Sequence, residues 1–409
     1  MPFQKPKGTQ DFYPEDLQIR EKIFNILRKT AINYNFKEVE SPAFENLDLL
    51  TKKEGEEITS QIFNLEKKGD ESFGLRFDLT VPAARMFIEK QKELPKPVKW
   101  FYISRMWRYE KPQAGRLREF YQTSCEIFGS SKPEADAEII NLATGCLISL
   151  GLAKKDFIVK LNNRKLLEGL LLDIVSKDKI PEVMRLIDKR SKLSPEAFDS
   201  ELKKTNLDPK KINNLLTLEL DEIKPKNKLA EEGLGELKSV MRLTSPECTR
   251  FDLSTARGLA YYSGTVFEIF DAKSNFRALA GGGRYDQLIE LLGGQPTPAT
   301  GFAMGYATLN LFLQEKGLLP QISMEPEFYI GVVDEQSIEK AIAIANKLRI
   351  NSVVEMDLMQ RNIGNQLKYA NAIKAKKVIV VGPDEIKSGN ITIKDMKTGK
   401  EVKKRISDL

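Results

Sequence analysis

The sequence predicts an α/β protein of more than one domain: a strand-rich core, a helical insertion and a smaller C-terminal α/β unit. Three observations carry this. The 409 residues exceed the ~250 to 300 at which single hydrophobic cores usually stop growing. Strand-like segments recur in the first 163 residues and return after residue 241, separated by a charged stretch of helical periodicity from about Arg164 to Met241. From Glu327 onward, short apolar runs alternate with amphipathic segments, the pattern of a small α/β domain.

Taken in order, "PEDLQIREKIFNILRKTAINY" from Pro14 to Tyr34 sets Leu17, Ile19, Ile23, Phe24, Ile26 and Leu27 near one face and predicts a helix. "FKEVESPAF" reads as an alternating strand ended by Pro42. "FGLRFDLT", "KWFYISRMWRYE" and "REFYQTSCEIFG" read as further strands, the last two joined by the basic, turn-forming loop "KPQAGR" in a hairpin. A helix is expected at "EADAEIINLATGCLISLGL" and a strand at "DFIVKLNN". After the helical stretch come strands at "RGLAYYSGTVFEIFD" and "FRALAGGG", a helix at "RYDQLIELLGG" and an apolar, glycine-containing segment, "TGFAMGYATLNLFL". A domain boundary is expected between Pro320 and Pro326. Beyond it, "EFYIGVV", "SVVEM" and "KKVIVVG" read as strands between the helices "SIEKAIAIANKLR" and "NQLKYANAIKA".

Composition narrows the function classes. Apolar residues make up 41 % and charged residues 30 % of the chain, which reads as globular throughout. No run of ~18 apolar residues suggests a membrane span, and the N-terminal segment has no signal-peptide core, so cytoplasm is the expected compartment. The three cysteines form no C-x-x-C pair, and the chain contains no histidine. A structural zinc site is therefore not expected, and general acid–base chemistry must do without its commonest side chain. From Glu327 to the end, 15 Lys/Arg stand against 11 Asp/Glu, +4 of the formal net +6. That balance allows attraction to a polyanion but does not demand it.

Arg76, Asp78, Arg108, Glu110, Glu126, Arg257 and Glu268 all interrupt strands that otherwise look half-buried. Buried charges must be paired or bound to something. A sheet face carrying them, with Gln122 and Tyr261 or Tyr262 among them, suits an anionic phosphate and a small polar ligand. The chemistry natural to such a face is charge stabilisation. "AGGGRYD" at Ala280 lacks the spacing of a phosphate-binding loop, and close strand packing explains its glycines at least as well.

In order, "KGTQDFYP", "LRFDLTVPAAR", "WRYEKPQAGRLREFYQTSCEIFG", "RGLAYYSGTVFE" and "AGGGRYDQLIELLGG...PATGFAMG" resemble the histidyl-tRNA synthetases, a class II aminoacyl-tRNA synthetase family, from Lys7 to the end. The resemblance implies an antiparallel sheet flanked by helices, interrupted by a helical insertion. It divides the chain into a first catalytic-core segment (1–163), the insertion (164–241), a second catalytic-core segment (242–322) and an anticodon-binding domain (323–409). It also implies a homodimer, built in the family on the first strand and its proline.

The implied reaction joins L-histidine and ATP, with Mg2+, into histidyl-adenylate and pyrophosphate, then passes the histidyl group to the 3′ end of tRNA(His). Arg108 and Arg257 match the arginines on the α-phosphate. Glu110 matches the acid that holds ATP, and Arg116 and Arg284 join the nucleotide set. Glu126 and Tyr262 match the imidazole-binding residues; Asp78, Thr80 and Gln122 match those around the α-amino group. Tyr261 either packs on the other face or lines the pocket. Gln113 and Arg116 correspond to positions that meet the acceptor end or ATP, while Gln360, Arg361, Asn362 and Lys368 are candidates on the anticodon side.

Two positions depart from the pattern. Thr308 stands where class II motif 3 carries an arginine, and Ala260 where many members carry an acid. A substitute such as Arg284 or Arg118, a divergent branch, or an inactive paralogue would each account for Thr308. The alternative function is that of a non-synthetase regulatory paralogue of a histidine-biosynthetic phosphoribosyltransferase. Such paralogues typically lose the C-terminal domain and the signature arginine, both of which are present in this sequence.

Overall fold

The computed structural model describes residues 3–52, 59–67, 69–190, 193–256 and 262–409. They fall into two compact units, Met1–Pro320 and Gln321–Leu409.

The first unit is built on an eight-stranded sheet. Its strands are β1 (Lys37–Glu38), β4 (Val98–Trp107), β5 (Glu119–Phe128), β6 (Phe157–Asn163), β7 (Thr249–Phe251), β8 (Thr265–Asp271), β9 (Ala280–Arg284) and β10 (Ala299–Gly305), while β2 (Phe44–Asn46) and β3 (Phe73–Leu75) pair separately. The spatial order is β1-β4-β5-β10-β9-β8-β6-β7. Only the edge pairs β1/β4 and β6/β7 are parallel; every interior pair is antiparallel.

Period-two alternation assigns the side chains to two faces. Phe101, Cys125, Ile127, Val159, Leu161, Phe267, Ile269 and Phe302 point into the larger core, against the helices Pro14–Asn33, Pro133–Ser149 and Lys228–Leu243. Their neighbours Tyr102, Phe128, Val266 and Ala299 point the other way, into a smaller cluster with the helix Thr80–Lys90. That second layer is only partial. Where it stops, the sheet carries polar side chains.

The 164–241 stretch forms the expected helices, among them Arg164–Leu171, Ile180–Lys189, Pro195–Lys204 and Pro209–Leu216. Ser194, Asp208 and Asn227 cap helices through their side chains, each accepting from a backbone N–H two or three residues on. The structure shortens some predicted strands. In "FGLRFDLT" the strand ends at Leu75 and Thr80 already opens a helix. "FKEVESPAF" splits at Pro42 into β1 and β2 because proline cannot donate to a ladder.

The second unit holds a five-stranded sheet in the order β12-β11-β13-β14-β15, with β11 (Phe328–Val332), β12 (Val354–Met356) and β13 (Lys377–Val381) parallel. The helices Ile338–Arg349 and Ile363–Ala372 pack on it. Its last hairpin, β14 (Asn390–Asp395) and β15 (Glu401–Arg405), was not expected. All of β15 is exposed, and its lysines and arginine hide the strand signal that an apolar face would provide.

Candidate active site

Alternation along β5 puts Gln122, Ser124 and Glu126 on the face that the second layer leaves open. Across the ladder, Gly305, Ala303 and Gly301 of β10 stand directly opposite them. The smallest side chains therefore face the polar ones, and a cleft of about 170 Å³ results. A Cβ on Gly301 would run into Glu126 Oε2, so glycine is what lets the carboxyl lie across the strand. Asp78 and Thr80 enter from the start of the helix Thr80–Lys90, Arg108 from just beyond β4, and Tyr262 from just before β8. These four and the β5 pair Gln122 and Glu126 line one cavity.

Glu126 is its most buried charge-bearing group, 1 % exposed. Its Oε1 lies 3.2 Å from both the Thr80 and Tyr102 hydroxyls. Among the described residues, Oε2 has no hydrogen-bond partner. Burial raises its pKa well above the carboxylate range, against the lowering effect of the two hydroxyls and with a further push from Asp78. Tyr102 Oη also lies 3.1 Å from the Leu79 carbonyl oxygen, so its single proton serves either that carbonyl or Oε1. A buried carboxyl with one unused oxygen, in a cavity also lined by Tyr262, fits a small polar ligand.

Asp78 is also pushed up by burial, while the Arg108 charge pulls it down. Arg108 donates from Nε to the Phe77 carbonyl at 2.9 Å, and its guanidinium carbon lies 5.3 Å from the Phe120 ring centroid. Beyond Arg108 the β4–β5 loop begins. Within it, Glu110 and Arg116 form an ion pair, and Gln113 and Arg116 exchange backbone hydrogen bonds across the tip. Gln113 is exposed. At the loop's root, Arg118 donates to the Glu110 carbonyl at 3.0 Å and lies 4.0 Å over the Tyr109 ring.

Arg284 corrects the expectation. It is 3 % exposed, and its nitrogens are taken up by Asp136 at 3.0 Å, Asp286 at 3.0 Å and the carbonyls of Ser130 and Lys132. A guanidinium so enclosed presents no face to a nucleotide, and Arg284 is a core ion-pair residue. Arg76 likewise donates to the carbonyls of Ser41, Pro42 and Arg105. Glu268 lines a separate cavity of about 370 Å³ with Lys160, Arg190 and Asp252. Arg257 and Tyr261, both read as site residues, lie outside the described residues.

Gln360 and Arg361 belong to the second unit. Gln360 is exposed with φ 51°, and Arg361 pairs with Asp357 at 2.8 Å and lies 4.6 Å over the Tyr369 ring. Thr308, at the arginine position of motif 3, is 7 % exposed, and its hydroxyl donates to the Gly115 carbonyl at 3.4 Å. Tyr102 was missed by the sequence reading. The signal was present: Tyr102 has the parity of Trp100, which pairs with Glu126, so alternation alone puts its hydroxyl on the cleft face.

The arrangement matches known proteins along its length. Residues 8–309 match the family model described as "Histidyl-tRNA synthetase", and residues 327–409 match "Anticodon binding domain". The histidine–tRNA ligase of Haloarcula marismortui is 38 % identical over 414 residues, covering 98 % of this chain and 95 % of that one. That of Pyrococcus furiosus is 37 % identical, covering 99 % and 97 %. The crystal structure of histidyl-tRNA synthetase from Nostoc superposes with a TM-score of 0.79 at 23 % identity, covering 99 % of this chain and 97 % of that one, which speaks for the fold. These full-length matches, with the C-terminal domain included, set the regulatory-subunit alternative aside. On the polar cleft, the sheet that builds it and these relatives, the chain belongs to the histidyl-tRNA synthetases, class II enzymes that ligate histidine to tRNA.

Proposed function

We propose a residue-level division of labour for this ligase. The histidine carboxylate attacks the α-phosphorus of ATP, the bond to the β-phosphate oxygen breaks, and pyrophosphate leaves. A hydroxyl at the 3′ end of tRNA(His) then attacks the acyl carbon of the adenylate and expels AMP. Neither step needs a protein histidine. Both need positioned reactants and neutralised charge.

Arg108 and Arg257 hold the α-phosphate, and Glu110 with Arg116 hold the nucleotide at the loop. Glu126 and Tyr262 take the imidazole. The raised proton of Glu126 and the unused Oε2 support this, because carboxyl and imidazole can share one proton and stay complementary whichever carries it. Asp78, Thr80 and Gln122 surround the α-amino group. Another amino acid entering would leave these buried groups unpaired, and that is the source of selectivity. Gln113 and Arg116 meet the acceptor end, and Gln360 and Arg361 face the anticodon side.

We read Mg2+ as arriving with ATP, as part of the substrate. The β2–β3 ribbon, which exposes Phe44 beside Phe73 at 5.4 Å between ring centroids, is consistent with a homodimer. We place the enzyme in the cytoplasm; no helix among the described residues is long and apolar enough to cross a membrane.

One observation carries the proposal: six polar residues from four separate stretches of chain converge on one cleft. ATP–pyrophosphate exchange with each of the twenty amino acids tests it. Exchange should depend on histidine, and Arg108→Ala and Arg257→Ala should each lower it by about 10² to 10³, the usual cost of deleting a charge-stabilising donor. Exchange that either variant leaves intact would remove that arginine from the phosphate.

A further inference from the structure

The β4–β5 loop is braced at two places. At its root, Gly8 accepts from the backbone N–H groups of Arg118 at 2.7 Å and Glu119 at 3.3 Å, and Tyr109 donates to the Gln61 carbonyl at 2.7 Å. At its tip, Gly115 rests on the first turn of the helix Tyr306–Glu315, where the Thr308 hydroxyl donates to its carbonyl at 3.4 Å. The approach is close. A Cβ on Gly115 would lie 3.0 Å from Thr308 Oγ1 and 3.7 Å from Thr308 Cα, and Gly115 has φ +73°, a conformation that L side chains rarely adopt.

Gly115 directly precedes Arg116, whose guanidinium pairs with Glu110 on the other arm of the loop. Whatever holds Gly115 therefore holds that pair. Thr308 is buried against the loop, so any longer side chain at 308 would take the volume that the Gly115 backbone occupies. We infer that Thr308 is a positioning residue for nucleotide binding: it seats the tip of the β4–β5 loop so that Glu110 and Arg116 are in place before ATP arrives. The inference rests on the proposed nucleotide role of that pair.

Two features of the side chain matter. Its hydroxyl supplies the bond to Gly115, and its small size leaves room for the loop. Thr308→Val keeps the shape and removes the donor; Thr308→Ser keeps the donor. Thr308→Arg loses both the hydroxyl and the small volume.

Pyrophosphate exchange should show a split. Thr308→Val should raise KM for ATP about fivefold, the effect of losing one net hydrogen bond, with KM for histidine and kcat at saturating ATP unchanged. Thr308→Ser should restore the wild-type value. Thr308→Arg and Gly115→Ala should raise it further, because both displace the tip. Trypsin provides a second measurement without activity: in the empty protein, cleavage after Arg116 should quicken in Thr308→Val and stay at the wild-type rate in Thr308→Ser.

Arg116→Ala separates the inference from the reading beneath it. If Arg116→Ala raises KM for ATP while Thr308→Val changes neither KM nor cleavage, the positioning role is overturned and the nucleotide role of the loop stands. If Arg116→Ala leaves KM unmoved, the nucleotide role falls and the inference falls with it.

Discussion

Tyr102 Oη lies 3.2 Å from Glu126 Oε1, and both side chains lie on the same face of adjacent strands, the face that bears the cleft. Tyr102 is itself shifted: burial first, then the nearby Glu126 and Asp78, raise its pKa well above that of a free phenol. Burial pushes both acids up together, and the raised Glu126 carboxyl carries a cost in stability that depends on pH.

The sign follows from linkage. Native Glu126 retains its proton where the unfolded carboxyl, with a pKa of ~4.3, has lost it. The unfolded state then binds fewer protons, so this group's contribution to stability falls as pH rises above ~4.3 and levels off above the raised native pKa, at up to about 1.4 kcal/mol per pH unit. Glu126→Gln cannot lose that proton. Denaturant unfolding from pH 4.5 to 8 should show a growing stability advantage of Glu126→Gln over wild type as pH rises, together with loss of histidine-dependent exchange. A constant difference across this range would contradict the raised pKa.

Gly301→Ala tests the space above the carboxyl. The added Cβ would meet Glu126 Oε2, and the variant should raise KM for histidine at least tenfold while KM for ATP stays within about twofold, because the loop pair is untouched. Equal rises in both constants would mean that the change disturbs the whole sheet.

Arg284 and Asp136 form an ion pair at 3.0 Å with both side chains 4 % exposed. Asp136 sits at about 6, raised by burial and opposed by Arg284, and its Oδ1 has no hydrogen-bond partner among the described residues. Arg284→Ala removes the charge that pairs with that carboxylate, leaving it the Thr265 hydroxyl at 3.3 Å, and takes the donor from two carbonyls, which should cost about 3 to 5 kcal/mol at pH 7.5. The loss should shrink as pH falls toward 5 and the stranded Asp136 takes up a proton. Chemical denaturation at the two pH values measures it, and an undiminished loss at pH 5 would assign the damage to packing instead of charge.

In the second unit, buried Gln366 donates to the carbonyls of Val332 at 2.8 Å and Arg361 at 2.6 Å, and it accepts from the Val332 N–H at 2.8 Å. The segment from Asp357 to Arg361 is thereby tied to β11, with Leu358 81 % and Met359 70 % exposed beside it. Arg361→Ala should raise KM for tRNA in aminoacylation several-fold and leave pyrophosphate exchange unchanged, since exchange needs no tRNA. A matching loss in exchange would place the defect in folding.

Much of the site was legible because its residues interrupt apolar strands. Asp78, Arg108, Gln122, Glu126 and Tyr262 stand out as polar groups where alternation calls for burial, and the structure brings all five to one cleft. The hairpin, the helical stretch from Arg164 and the alternation after Glu327 were legible for a related reason: period and punctuation belong to neighbouring residues, so a linear reading contains them. The β14–β15 hairpin was not, since its strands carry no apolar face to mark them.

By itself, then, the sequence determined which residue types face each way along the longer core strands and the order of blocks that resembles a family. Tertiary structure decided which of those charges line the cleft and which are enclosed. Arg108 and Arg284 look alike in sequence, each an arginine at the end of a strand. The ladder register and the Pro133–Ser149 helix bring Asp136 to Arg284, from 148 positions away, and leave Arg108 lining the cleft. Only the fold places Thr308 against Gly115, 193 positions apart in the chain. Partners so distant are set by strand order and register, which depend on burying the whole core at once.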